Sequence, residues 1–259
     1  MVGDVMYCPP YSVANAVFLR FSVATGSAKL LTYPGLDSGS ELFAGAVAVP
    51  SGNVYAIPYK ATFMAEIVPG SDTAEINRID VPSGHEWFGG VLFHDYVVGV
   101  PHSSGSSVLV FNWKTKNSDL LPVIGVPTLP QRWRGAVYSR VQDRVLFTPA
   151  AVTQVGVVYL SPTGTVTFAL GTNLGVYDTS AEAWGTMVEA SNGFVYVLPR
   201  TANVTVCLNT MNQMVTSVVP PDTRAVHKWV SAVRTPAGRV VAVAYTDAAP
   251  HSILEGSFT

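Results

Sequence analysis

Two sets of residues in this 259-residue chain recur at spacings that could bring chemistry together. The first lies two positions before a repeated aromatic: Glu41, His85, Gln131, Glu182 and His227 precede Phe43, Trp87, Trp133, Trp184 and Trp229. Two carboxylates and two imidazoles can ligate Zn, Mn or another divalent ion, and a metal with an open position activates water. Glu41, His85, Glu182 and His227 are therefore the candidate metal ligands, with a divalent ion as the possible cofactor. A solvent-facing loop just before a strand also carries polar residues for no functional reason. The second set follows a repeated proline: Pro10, Tyr59, His102, Ala150, Arg200 and, after the degenerate Ala244, Tyr245. Aromatic and cationic side chains on one rim are what binding surfaces favour. Tyr59, His102, Arg200 and Tyr245, with Gln131, form the candidate binding face.

Other chemistry is thinly represented. No serine sits in a nucleophile elbow, and neither a phosphate loop nor a CxxC pair occurs, so no residue is assigned as catalytic. His94-Asp95 resembles an acid/base pair but falls in a hairpin turn at the opposite end of its repeat, where solvation is expected. Arg132, Arg134, Arg140 and Arg144 lie close in sequence, interrupted by Asp143, and read as a solvated face.

The elements that must position these residues are legible as a repeat. Segments beginning Phe43-Ala-Gly-Ala-Val47, Trp87-Phe-Gly-Gly-Val91, Trp133-Arg-Gly-Ala-Val137, Trp184-Gly-Thr-Met-Val188 and Trp229-Val-Ser-Ala-Val233 each lead through a turn to a strand ending in Pro58, Pro101, Pro149, Pro199 or Ala244. A copy at the start lacks the aromatic segment but keeps Gly3-Asp-Val-Met-Tyr-Cys-Pro9 and supplies strands two to four. Several short strands per period of 43 to 50 residues indicate propeller blades. The expected fold is all-β, a six-bladed propeller of four-stranded antiparallel blades in one domain spanning 1–259. Its approximate repeats are 1–36, 37–82, 83–127, 128–171, 172–220 and 221–259. A five-bladed ring, with the Trp229 strand completing the first blade, is the rival. The first strand of each repeat is expected to be innermost, and the aromatics to wedge between blades.

Composition agrees and narrows the partners. Hydrophobic residues make up 48% and charged residues 12%, as expected when blades are buried on both faces. A net charge of −2 gives no electrostatic case for nucleic acid or an anionic membrane. No apolar run is long enough to span a bilayer, and the N-terminus lacks a signal-peptide pattern, so a cytoplasmic location is expected. Cys8 and Cys207 are expected to be buried free thiols.

The motifs Trp-x-Gly-x-Val and Gly-x-Val-Tyr-x-Ile-Pro-Tyr, best matched over Gly45 to Tyr59, resemble uncharacterised propeller repeat proteins of protist and bacterial genomes. Kelch and WD40 proteins are similar in architecture only. The resemblance implies a fold and no activity. The favoured function is a protein- or peptide-binding scaffold without catalysis. The alternative is a metal-dependent hydrolase or lactonase-like enzyme with its site at the channel mouth.

Overall fold

The computed structural model describes residues 2–13, 17–33, 39–70, 74–103, 105–127, 129–179, 182–209, 215–218, 229–235, 240–244 and 253–256. The chain divides into two compact units, Met1–Pro122 and Val123–Thr259. In the first unit, β1 (Val5–Cys8), β3 (Val17–Ser22) and β4 (Ala28–Thr32) form a three-stranded antiparallel sheet, and β2 (Ser12–Val13) pairs with β5 (Gly39–Ser40). Two four-stranded antiparallel meanders follow. One is β6 (Phe43–Ala48), β7 (Val54–Pro58), β8 (Phe63–Pro69) and β9 (Ala74–Asp80). The other is β10 (Trp87–Phe93), β11 (Tyr96–Pro101), β12 (Val108–Asn112) and β13 (Asn117–Leu121).

The second unit repeats the pattern. A first meander holds β14 (Trp133–Ser139), β15 (Arg144–Pro149), β16 (Gln154–Leu160) and β17 (Val166–Asn173). The next holds β18 (Trp184–Glu189), β19 (Phe194–Pro199), β20 (Thr205–Asn209) and β21 (Val215–Val218). A three-stranded sheet of β22 (Trp229–Arg234), β23 (Val240–Ala244) and β24 (Ile253–Gly256) comes last. Among the described residues there is no helix.

The register explains the repeat. In every copy the aromatic lies directly opposite the anchor: Phe43 faces Pro58, Trp87 faces Pro101, Trp133 faces Pro149, Trp184 faces Pro199 and Trp229 faces Ala244. Immediately after each aromatic the register slips, a bulge that bends the first strand. Gly45, Gly89 and Gly135 occupy these bulges with φ of 93°, 78° and 98°, a region costly for residues with a Cβ.

Close approach demands small residues as well. A Cβ on Gly185 would lie 2.1 Å from the Trp229 carbonyl oxygen, and one on Gly45 would lie 3.4 Å from the Gly89 Cα. First strands of adjacent sheets thus meet backbone to backbone within each unit.

The aromatics fill the space between sheets. Phe43 packs with Tyr7, Phe18 and Leu31 of the preceding sheet, Trp87 with Tyr55, Ile57 and Met64, Trp184 with Leu146, Val155 and Val157, and Trp229 with Tyr196 and Leu198. Strand β7 is buried at all five positions because neighbouring sheets cover both its faces, which removes the usual alternation. Cys207 is buried as expected, but Cys8 is exposed, since β1 presents alternate residues outward. No helix among the described residues is long and apolar enough to cross a membrane.

Candidate functional site

In the four repeats where it is described, the lead-in to the first strand is a left-handed turn. Glu41, Gln131 and Glu182 adopt φ of 63°, 56° and 64°, while in the His85 copy Gly84 takes that role at 81°. This turn aims the carbonyl of the residue just before the aromatic at the strand-two exit. There it accepts the N–H of the residue after the proline: Tyr59 to Leu42 at 2.8 Å, His102 to Glu86 at 2.9 Å, Ala150 to Arg132 at 2.9 Å and Arg200 to Ala183 at 2.8 Å. Within each of these four repeats the two candidate sets are therefore backbone neighbours at one end of the sheet. His227 and Tyr245 lie outside the described residues.

In the first unit these positions gather an aromatic cluster beside a cleft. Tyr59 has ring centroids 6.2 Å from Tyr11, 6.0 Å from Phe88 and 5.5 Å from His102, and Phe88 lies 4.9 Å from His102. His102 is buried beneath this rim instead of facing solvent, because Phe88 and Tyr59 close over it. A cleft of about 240 Å³ is lined by Tyr59, Lys60, Ser83, His85, Glu86 and Ser103, among others. Burial pushes the Tyr59 phenol up, and the Glu86 and Glu41 carboxylates add to the shift.

His85 accepts the Ser107 N–H through Nδ1 at 3.2 Å, so its neutral ring carries the proton on Nε2. The imidazole also stacks on Trp87, 5.6 Å between centroids. The Glu86 N–H donates to Ser106 Oγ at 2.8 Å, and that oxygen lies 2.6 Å from Ser103 Oγ. These contacts pin the loop on which His85 and Glu86 stand.

Glu41 is committed to a cation. Its carboxylate pairs with Lys60 and accepts the Tyr11 hydroxyl at 3.1 Å. The Lys60 hydrogen bond, then that from Tyr11, holds it below the ordinary carboxylate range.

In the second unit Glu182 is held between two guanidiniums. Arg134 Nη2 reaches Oε1 at 2.7 Å and Arg200 Nη2 reaches Oε2 at 3.3 Å, and Arg134 also donates to Gln131 Oε1 at 3.3 Å. This corrects the solvated reading of the arginine cluster. Arg132 is buried with its guanidinium 5.5 Å from the Trp133 ring centroid, and Arg134 is largely covered and ion-paired. Only Arg140 of the four is exposed; Arg144 is half-buried, its guanidinium 5.7 Å from the Tyr159 ring centroid. Asp95, next to His94, forms an exposed ion pair with Lys114 at 2.8 Å.

Among the described residues no group of three or more His, Cys, Asp or Glu side chains gathers as a metal site. Sequence reasoning missed Lys60, Glu86, Tyr11 and Phe88, and gave Arg134 only a solvated role. Each of them is adjacent to a repeat position, and differing between copies at a shared place is the signal that could have found them.

No protein-family model matches the chain, and no curated protein does. Solved structures do. A streptogramin B lyase superposes with a TM-score of 0.69 at 14% identity, over 92% of this chain and 75% of that one. A catalytically inactive virginiamycin B lyase from Staphylococcus aureus with quinupristin gives 0.69 at 14%, over 93% and 78%. A putative 6-phosphogluconolactonase from Bacteroides fragilis gives 0.68 at 13%, over 97% and 77%. At such identities the likeness establishes fold alone: the chain has a β-propeller-like, all-antiparallel fold.

Proposed function

We propose that the protein is a peptide- or protein-binding propeller whose recognition face includes the cleft beside Tyr59. The observation that carries this reading is the cleft itself, where the Tyr59 ring, Lys60, His85, Glu86 and Ser103 surround a hollow of about 240 Å³. Aromatic anchors next to adaptable polar groups are the composition that concentrates binding energy. Glu41 and Glu182, two of the proposed metal ligands, are each neutralised by side-chain cations, which favours a binding over a metal-dependent role.

The test is selection of short peptides on the immobilised protein, followed by Tyr59→Ala. Enriched sequences should bind the parent protein and lose about tenfold or more in affinity to the variant, as removal of an aromatic anchor does. Absence of any enriched sequence, or binding indifferent to Tyr59, would remove the reading.

The structural neighbours support a second reading, since they include lyases and putative lactonases. In that case His85, which lines the cleft and whose neutral ring carries its proton on Nε2, is the group to supply or take a proton. Turnover of a streptogramin B or of 6-phosphogluconolactone that disappears in His85→Ala would replace the binding reading with the enzymatic one. Stoichiometric metal in the purified protein would point the same way.

A further inference from the structure

We infer that the Tyr59 cleft selects a cationic side chain, arginine or lysine, on the peptide it binds; this rests on the peptide-binding reading and specifies its ligand. The protein's own Lys60 already shows how such a group is received. Its ammonium pairs with the Glu41 carboxylate and sits 5.9 Å from the centre of the Tyr59 ring, within reach of the ring's negative face. The Tyr11 hydroxyl, donating to the same carboxylate, orients the oxygen pair from the other side.

Charge balance favours a second cation there. Of the residues lining the cleft, Lys60 is the one with a permanently positive side chain, and Glu86 is the lining carboxylate. Lys60 is committed to Glu41 by the ion pair, which leaves the Glu86 carboxylate acting on that ammonium only at longer range. His85 does not redress the balance while neutral. An anionic ligand would face this surplus of negative charge, whereas a guanidinium or ammonium would relieve it and gain the Tyr59 ring.

Room exists for the exchange. The Lys60 and Glu41 side chains are 47% and 33% exposed, so their pairing is screened by solvent and held weakly. A flexible lysine can swing outward as a ligand's cation enters.

The experiment uses fluorescein-labelled random hexapeptide pools with one fixed central residue: arginine, its neutral isostere citrulline, or glutamate. Anisotropy should show the arginine pool binding about tenfold more tightly than the citrulline pool, with the glutamate pool weakest. Glu86→Gln should erase most of the difference between arginine and citrulline, and Lys60→Met should increase arginine-pool affinity severalfold by removing the internal competitor. Both substitutions are at the cleft surface, and unchanged melting curves would verify their folding. Equal affinity for the arginine and citrulline pools, or a preference unmoved by Glu86→Gln, overturns the inference while peptide binding stands. If no pool binds, both fall together, whereas binding lost equally from all pools in Tyr59→Ala sustains only the broader reading.

Discussion

Glycine at the bulge after Phe43, Trp87, Trp133 and Trp184 answers two separate needs, and single substitutions can separate them. Nothing lies within 4 Å of a Cβ built on Gly135, but its φ is 98°, so Gly135→Ala should cost about 1–3 kcal/mol through backbone strain alone. Gly185 meets the opposite condition, an obstructed Cβ 2.1 Å from the Trp229 carbonyl oxygen. Gly185→Ala must push two first strands apart and should also destabilise by about 1–3 kcal/mol, the cost of overpacking. Urea denaturation of the two variants checks the magnitudes. A displaced Trp229 fluorescence signal in Gly185→Ala alone would distinguish the causes. Glu66 offers a pH-dependent counterpart. Burial by itself would raise its pKa, but hydrogen bonds from Lys116, Tyr55 and Asn53 outweigh that and leave it below the ordinary value of 4.5. A lowered folded-state value means stability present above the unfolded value and lost as pH falls through the folded one. Glu66→Gln should therefore cost about 1–3 kcal/mol at neutral pH and show a shallower loss of stability below pH about 4.5. An acid limb as steep as that of the parent would refute the role.

Within each unit, neighbouring sheets are joined by aromatics packed between them and tied at their ends by polar contacts. Trp184 is 1% exposed and touches residues of both its own sheet and the preceding one, so it belongs to neither alone. Trp184→Ala should cost about 3–5 kcal/mol, as large-to-small core changes do, while leaving Tyr59-dependent binding in the first unit intact. A loss below about 0.5 kcal/mol would mean that the ring is not a core element. At the other end of the same sheets, Glu189 accepts Ser139 Oγ at 2.8 Å and the Arg140 N–H at 3.2 Å, fastening the β14–β15 hairpin to β18. Glu189→Ala should accelerate amide exchange in that hairpin without disturbing the Glu182 rim.

For the molecule as a whole, fold and function rest on different observations. The likeness to lyases and putative lactonases is a likeness of architecture at 13–14% identity, and propellers support unrelated activities. What distinguishes this chain is the set of side chains at the sheet ends, where two repeats commit their carboxylates to Lys60 or to Arg134 and Arg200. Circular dichroism should show a β spectrum with helix below about a tenth, in keeping with a chain built from antiparallel meanders.

The sequence by itself determined the architecture, because a periodic fold solves the same packing problem in each copy and must write the same answer each time. The aromatic, the glycine and the proline recur since each ring faces its anchor across a bulge, and those contacts are local in sequence. Even the adjacency of Glu41 to Tyr59, and of Glu182 to Arg200, follows from hairpin geometry. What the tertiary structure decided was which side chains pair across sheets. Arg134 read as solvated along with its neighbours because Asp143 interrupts the basic run, whereas its partner Glu182 arrives from the next repeat. His102 read as a rim residue, yet Phe88 and Tyr59 cover it. Such encounters depend on how neighbouring blades twist and how far each side chain reaches. Periodicity carries no record of either, because the residues involved are those that differ from copy to copy.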